Sequence, residues 1–373
     1  GMYFNQQGNN KCCMQALLES GRKARFALQQ RVRDLRHLTP RTKCDLFKWL
    51  VLPVLSYGCQ VWGAQYLELP PREWGNGGAV PDNPLERELY AFLRFVSNGF
   101  RGTTKWLLLH EFGMDPLQVH WATAVLRFWN SMRSKPNSML WHAARADVRL
   151  ALAGCHTCWT YRVLVFLQSM GALPEGLRGS LRGSNAFPAD AFQMVWSMRV
   201  DVDAVVDKLR VFWHERVART LCGNPRARLQ HSTYESYARW MGLNCGADKR
   251  GAPHLDCYLP AAHHISLMRF RLCNWIDLPV HVHRLSGRLT RCPSRPCNAC
   301  GIRTINDACH IALSCHKFRV LRTRYPDLFD ARHHALMRDS TTHYDAMHRL
   351  MTQSNQQRLA KYINELWLQF KNT

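Results

Sequence analysis

The chain has 373 residues, enough for two or three domains, and its 46% hydrophobic and 11% aromatic content excludes a disordered tail. A formal charge of +23 is costly unless a polyanion relieves the self-repulsion. Nucleic acid is therefore the expected partner, with an anionic membrane surface as its rival and a merely basic soluble protein as the bland alternative. No apolar run reads as a transmembrane helix. The longest uncharged stretch, Leu50 to Leu67, is interrupted by Pro53, Gly58 and Gly63.

The first ten residues, from Gly1, are too polar for a secretory signal, and Gly1-Met2-Tyr3-Phe4 reads as a strand-like cut edge. Fifteen cysteines, an odd number scattered through apolar stretches, read as reduced thiols. They suit a nuclear or cytosolic protein, not a secreted one.

From Met14 to Leu35 the spacing is helical. Met14, Leu17, Gly21, Ala24, Leu28, Val32 and Leu35 form one inner stripe, and Arg22, Arg25, Arg33 and Arg36 follow it along one flank. Guanidiniums one helical turn apart can track a phosphate backbone, or simply solvate a basic face. Thr39-Pro40 restarts a helix, with threonine as the cap and proline in the first turn. It carries Leu46, Phe47, Leu50 and Val51 before Gly58 and Gly63 break the pattern. Residues 68–84 form a glycine- and proline-rich loop.

Asn83-Pro84-Leu85-Glu86 starts the next helix, Leu85, Leu89, Phe92 and Val96 line its inner face, and Asn98-Gly99 ends it. Helices are predicted over 104–111, 115–133 and 138–153. Pro174 to Pro188, with two tandem Leu-Arg-Gly-Ser tetrapeptides, reads as a flexible linker. Residues 189–242 and 258–278 read as helical, with Trp196, Trp213, Trp240 and Trp275 in the core. Leu359, Tyr362, Ile363, Leu366, Trp367 and Phe370 predict a closing amphipathic helix. The expected fold is mainly α, with little β.

Cys297-x2-Cys300-x9-His310-x4-Cys315 is the constellation with metal-ligand spacing. A two-residue gap lets a tight turn present two thiolates to one ion, and the later histidine and cysteine complete a tetrahedron. Four protein ligands leave no open position, so the expected cofactor is a structural zinc. Cys292, Cys309 and His316 lie near enough to be confused with ligands. Lys317, Arg319, Arg322 and Arg324, interleaved with Phe318 and Tyr325, follow as a basic run suited to single-stranded nucleic acid.

Other candidates are weaker. Cys155-x2-Cys158 lies in a predicted helix without a second pair and reads as buried or free thiols. Asp201, Asp203 and Asp207 read as the start and solvated face of a helix, and His263-His264 and His333-His334 as surface residues. No hydrolase elbow, zinc-protease motif or catalytic carboxylate pair occurs.

Together these segments resemble the C-terminal part of a LINE-type, non-LTR retrotransposon reverse transcriptase. Gly1 to Phe4 resemble the end of the last palm strand, and the arginine helix resembles the first thumb helix. Leu50 to Gly63, in which a valine-proline-x-leucine segment runs into Tyr57-Gly58-x3-Trp62-Gly63, resembles a recognisable family segment. Phe92-Leu93-Arg94, then Leu109 to Gly113 with Pro116-Leu117, resemble its continuation. Cys297, Cys300, His310, Cys315 and Arg322 are similar to the family's C-terminal zinc knuckle. Residues 135–285 match only in general character.

The resemblance implies a palm remnant at 1–10, a helical thumb at 11–134, a helical connector at 135–288, a zinc-knuckle module at 289–330 and a helical end at 331–373. It implies contact with RNA and DNA through backbone phosphates, no membrane role, and a palm and fingers upstream. The chain departs from the family in lacking the polymerase's aspartate pair, so by itself it should bind rather than synthesise. A zinc-stabilised protein-interaction module, or a decayed or domesticated remnant, is the alternative.

Overall fold

The computed structural model describes residues 11–35, 37–69, 82–98, 103, 105–178, 181, 187–223, 237, 252–272, 297, 299–301, 309–339 and 344–371. For residues 11, 12, 34 and 217–223 it describes the backbone alone. Arg36, Cys292, Trp240, Trp275 and the strand-like start lie outside the described residues.

The described chain is mainly α-helical, as expected. Its helices are α1 (Lys11–Asp34), α2 (Pro40–Leu50), α3 (Leu52–Leu55), α4 (Cys59–Trp62), α5 (Pro84–Ser97) and α6 (Lys105–Phe112). There follow α7 (Leu117–Ser131), α8 (Met139–Leu152), α9 (Trp159–Ser169), α10 (Glu175–Arg178), α11 (Ala191–Ser197) and α12 (Val202–Gly223). The remainder are α13 (Ala261–Arg271), α14 (Arg319–Thr323), α15 (Ala331–Asp339), α16 (Tyr344–Thr352) and α17 (Gln356–Lys371). No residue among those described is in a strand.

Several predicted caps hold. The Thr39 hydroxyl accepts from the Thr42 N–H at 3.2 Å, and the Asn83 side chain accepts from Leu85 and Glu86 at 3.0 and 2.9 Å. Asn98 ends α5 in the left-handed region, at φ 49°. The inner stripe of α1 is shorter than its periodicity suggests: Leu17, Leu28 and Val32 are buried, while Leu35 is exposed just past the helix end.

Two compact units are built from interleaved segments: Gly1–Arg25, Trp49–Leu89 and Asp115–Val217 form one, and Phe26–Lys48, Tyr90–Met114 and Ala218–Thr373 the other. In the first, tryptophans dominate. Trp62 and Trp121 meet edge to face at 5.1 Å, and Trp129 stacks on Trp159 at 5.9 Å. Burying an indole is costly if its N–H is left bare, and none of these is. Trp62 donates to the Tyr57 carbonyl, Trp121 to the Ser56 hydroxyl, Trp129 to the Met198 carbonyl, Trp159 to the Gln60 carbonyl and Trp213 to the Gln118 side-chain oxygen. The stretch expected as a linker begins with α10, whose Leu177 is buried in this same core. The tandem repeat beyond it falls largely outside the described residues.

The Tyr57-Gly58-x3-Trp62-Gly63 segment acquires a physical reason here. Gly58 sits at φ 69°, turning the chain between α3 and α4, and the turn lets Trp62 reach back to the Tyr57 carbonyl at 2.8 Å. Gly63 allows α7 to approach: a Cβ there would meet Val125 Cγ2 at 3.3 Å. Glu86, fully buried on α5, accepts from the Gln118 N–H at 2.8 Å. It serves as a borrowed cap for α7, whose own N-cap residue is the uncapping Pro116. Replacing Gly58 by alanine forces a left-handed L-residue, which costs about 1–2 kcal/mol. The expected thermal midpoint falls by roughly 2–8 °C in a calorimetric or circular-dichroism melt.

The second unit carries a fully buried carboxylate, Glu111 on α6. Arg271 on α13 donates its Nε to one carboxylate oxygen and its Nη2 to the other, the second at 3.3 Å. Tyr237 donates its hydroxyl to the same group, and His254 lies 3.5 Å from it. Arg271 also donates to the Met351 carbonyl on α16 at 3.0 Å. Burial alone raises the Glu111 pKa, but Arg271 and His254 outweigh it and bring the carboxyl down to about 2. Burial holds His254 down to about 3.

Both shifts act in one direction. A carboxyl whose folded pKa is depressed stabilises the fold above its unfolded value, near 4.5, and that stability drains away as pH falls towards 2. A histidine kept neutral in the fold but free to protonate when unfolded costs stability as pH falls from 6.5 towards 3. Urea midpoints are therefore expected to decrease steadily from pH 7 to pH 3, with no compensating rise. Glu111→Gln, which strands Arg271, is expected to lose about 3–5 kcal/mol at pH 7.

Candidate metal centre

The four predicted ligands converge. The ligand atoms of Cys297, Cys300, His310 and Cys315 all lie within 4.8 Å of one another. The Sγ atoms of Cys297 and Cys315 are 4.0 Å apart, and Cys300 Sγ is 3.4 Å from His310 Nε2. A tetrahedral ion with sulfur bonds of about 2.3 Å needs ligand edges of about 3.8 Å. A disulfide needs about 2.05 Å, so the sulfurs are arranged around a point and not bonded to each other.

Local backbone features aim each donor. Gly301 adopts φ 71°, and its N–H donates to the Cys297 carbonyl at 2.7 Å, closing the turn between the first two cysteines. His310 to Ser314 form one π-helical turn, with the Cys315 N–H reaching back to the His310 carbonyl at 2.7 Å. Such wide turns recur at functional sites because they re-aim side chains that an α-helix would space differently. Ser314 fixes the imidazole. Its hydroxyl donates to the His310 carbonyl at 3.3 Å and lies 3.1 Å from Nδ1, so Nδ1–H donates to it and the Nε2 lone pair faces the sulfurs. Sequence reasoning missed Ser314; its spacing four residues after His310 is the signal that could have found it.

Burial, with Cys297 and Cys300 alongside, pushes the Cys315 thiol up to about 12. Three thiols in this position favour a bound cation, which stabilises their deprotonated form. Arg322 donates to the Cys315 carbonyl at 2.7 Å, so it braces a ligand's backbone. Cys309, the nearby decoy, is buried in the hydrophobic core and is not one of the converging four. The centre is not a free-standing knuckle. Cys297 and Cys315 share a core with Ile311, Leu313, Tyr362, Ile363 and Leu366, and the Tyr362 hydroxyl donates to the Ala312 carbonyl. The predicted closing helix, α17, is thus part of the wall behind the metal site.

The cationic candidates have separate fates. Arg22 and Arg25 both donate their Nε atoms to Glu88, at 2.9 and 2.8 Å, and Arg25 lies on the buried side of α1 instead of its flank. The Arg22 side chain remains 53% exposed. Arg33 is exposed, its guanidinium 5.5 Å from the Phe95 ring centre. Arg324 pairs with Glu365 at 3.3 Å, while Lys317 and Arg319 are exposed beside the centre. His333, expected at the surface, is buried against Phe329, and His264 is half-buried. Both follow from amphipathic helices whose buried side accepts an uncharged imidazole: burial holds each down to about 4. Asp201 caps α12 through the Ala204 N–H, and Asp207 pairs with Arg210, so the acidic trio is a helix start, as its spacing suggests.

Comparison with family models, with curated proteins and with solved structures gives no match.

A chelator strong enough to strip the centre is expected to lower the melting temperature, and readdition of metal to restore it. His310→Ala should reduce bound metal measured by elemental mass spectrometry, whereas Cys309→Ala should leave it at the wild-type level.

Proposed function

We propose that the chain is the thumb and zinc-knuckle part of a non-LTR reverse transcriptase, binding nucleic acid without catalysing polymerisation. The observation that carries the reading is the convergence of the four ligands, in the chain order that the sequence resemblance expects. The metal is zinc, since three thiolates and one imidazole with no open position suit that ion and a structural role. The mainly helical body and the charge of +23 support a polyanionic partner. The Tyr57 to Gly63 segment and the Glu111 to Gly113 segment supply further points of resemblance, each now with a packing reason.

Binding rests on phosphate contacts, with little sequence discrimination. Lys317 and Arg319 are the best-placed groups by exposure, followed by Arg33 and the open edge of Arg22. Bracing Cys315 and pairing with Glu88 or Glu365 take Arg322, Arg25 and Arg324 partly out of that role. No Asp-Asp pair occurs in the sequence, so the two-metal chemistry of a polymerase has no carboxylates here to rest on. The engagement of several candidate arginines in intramolecular bonds favours one second reading, a zinc-stabilised protein-docking module.

Fluorescence anisotropy on a primed RNA template separates these readings. Affinity is expected to fall by at least tenfold between about 50 and 200 mM salt, as counterion release dictates. Lys317→Glu with Arg319→Glu should flatten the salt slope by about one unit for every phosphate that is no longer neutralised. Zinc binding without measurable affinity for the template would favour the docking module instead.

A further inference from the structure

Cys155 and Cys158 lie outside the metal centre, in the first unit, and independently of the reading above. In the sequence the pair reads as lying within a helix. The structure places them instead in the turn between α8 and α9, where a different chemistry is open to them. Gly154, at φ 90° with open space where a Cβ would stand, stops α8. Cys158 is the N-cap of α9, its sulfur accepting from the Tyr161 N–H at 3.4 Å.

The turn is closed by the Cys158 N–H, which reaches the Cys155 carbonyl at 3.4 Å. Residues so joined have Cα atoms within about 7 Å, overlapping the span of about 4.4–6.8 Å that a disulfide bridges. Both thiols are free, and both are partly exposed. We propose that Cys155 and Cys158 form a redox-active pair, in which Cys155 is the peroxide-reactive nucleophile and Cys158 the resolving thiol.

The surroundings separate the two roles. The Thr157 hydroxyl, 3.6 Å from Cys155 Sγ, lowers the Cys155 pKa, and the Cys158 thiol hydrogen-bonds in the same sense. Burial raises Cys158 to about 11. Elsewhere in the chain burial pushes Cys44 up to about 12 and Cys59 up to about 11, and those thiols are enclosed in cores. An accessible thiol with more thiolate character is the one that an oxidant selects.

The Cys155 thiolate attacks one oxygen of hydrogen peroxide, the O–O bond breaks, and one water leaves once the departing hydroxide is protonated. The Cys155 sulfur is now a sulfenic acid, oxidised by two electrons. The Cys158 sulfur attacks it, the S–S bond forms, the S–O bond breaks, and the hydroxyl leaves with the Cys158 proton as a second water. Two thiols and one peroxide thus give one disulfide and two waters. A thiol reductant reverses the change.

Trypsin cleavage after Arg149 and Arg162 isolates both cysteines in one peptide, apart from those of the metal centre. Peroxide at low excess is expected to remove two hydrogens from that peptide, and dithiothreitol to restore them. In Cys158→Ser the intermediate has no resolving partner, so a dimedone adduct should accumulate at Cys155. Wild-type protein should show little adduct under the same exposure. The proposal is overturned if the wild-type peptide keeps both thiols while other cysteines oxidise. It is equally overturned if wild type and Cys158→Ser trap dimedone to the same extent.

Discussion

Three sulfurs and an imidazole nitrogen held within 4.8 Å of one another impose the constraint on which the end of the chain depends. Neutral thiols gain little from such crowding, whereas a cation turns the same crowding into coordination. The geometry is maintained from outside the ligand set. Ser314 orients the imidazole, Arg322 holds the Cys315 carbonyl, and Tyr362 on α17 reaches the Ala312 carbonyl inside the π-helical turn. The convergence of the four donors and the packing of α17 are therefore one energetic unit, so a change at either is felt at the other.

Glu111 imposes a second constraint within the same unit. A buried carboxylate without partners would be intolerable, and this one meets an arginine, a tyrosine and a histidine drawn from distant parts of the sequence. The arginine then commits another donor to the Met351 carbonyl, tying α6, α13 and α16 to one charge. The first unit solves its polar problem with its own partners. Its buried indoles find carbonyls and side-chain oxygens, Glu86 is borrowed to cap α7, and the Glu88 carboxylate is paired with Arg22 and Arg25. Both units therefore hold a paired buried charge, and the second also gathers the four candidate metal ligands.

The electrostatic picture also becomes more selective than the net charge implies. Much of the positive charge that looked available along α1 and after the metal centre is tied to Glu88, Glu365 or a carbonyl. Exposed cations persist at Lys317 and Arg319.

Helix class, the Thr39 and Asn83 caps, the closing amphipathic helix and the identity of the four converging donor residues were all legible in the sequence alone. Each depends on local periodicity, or on donor chemistry at short spacing. What the tertiary structure decided were the pairings between residues far apart in the chain. Glu88 drew in Arg25, which periodicity had set beside the inner stripe; His333 turned inward; Leu35 fell beyond the end of its helix; and Cys155 and Cys158 emerged from a supposed helix into a turn. The reason is physical. Periodicity reports which face of an element is apolar, but a buried charge or imidazole is tolerated only where a distant partner or an enclosing core meets it. That meeting is settled by packing in three dimensions.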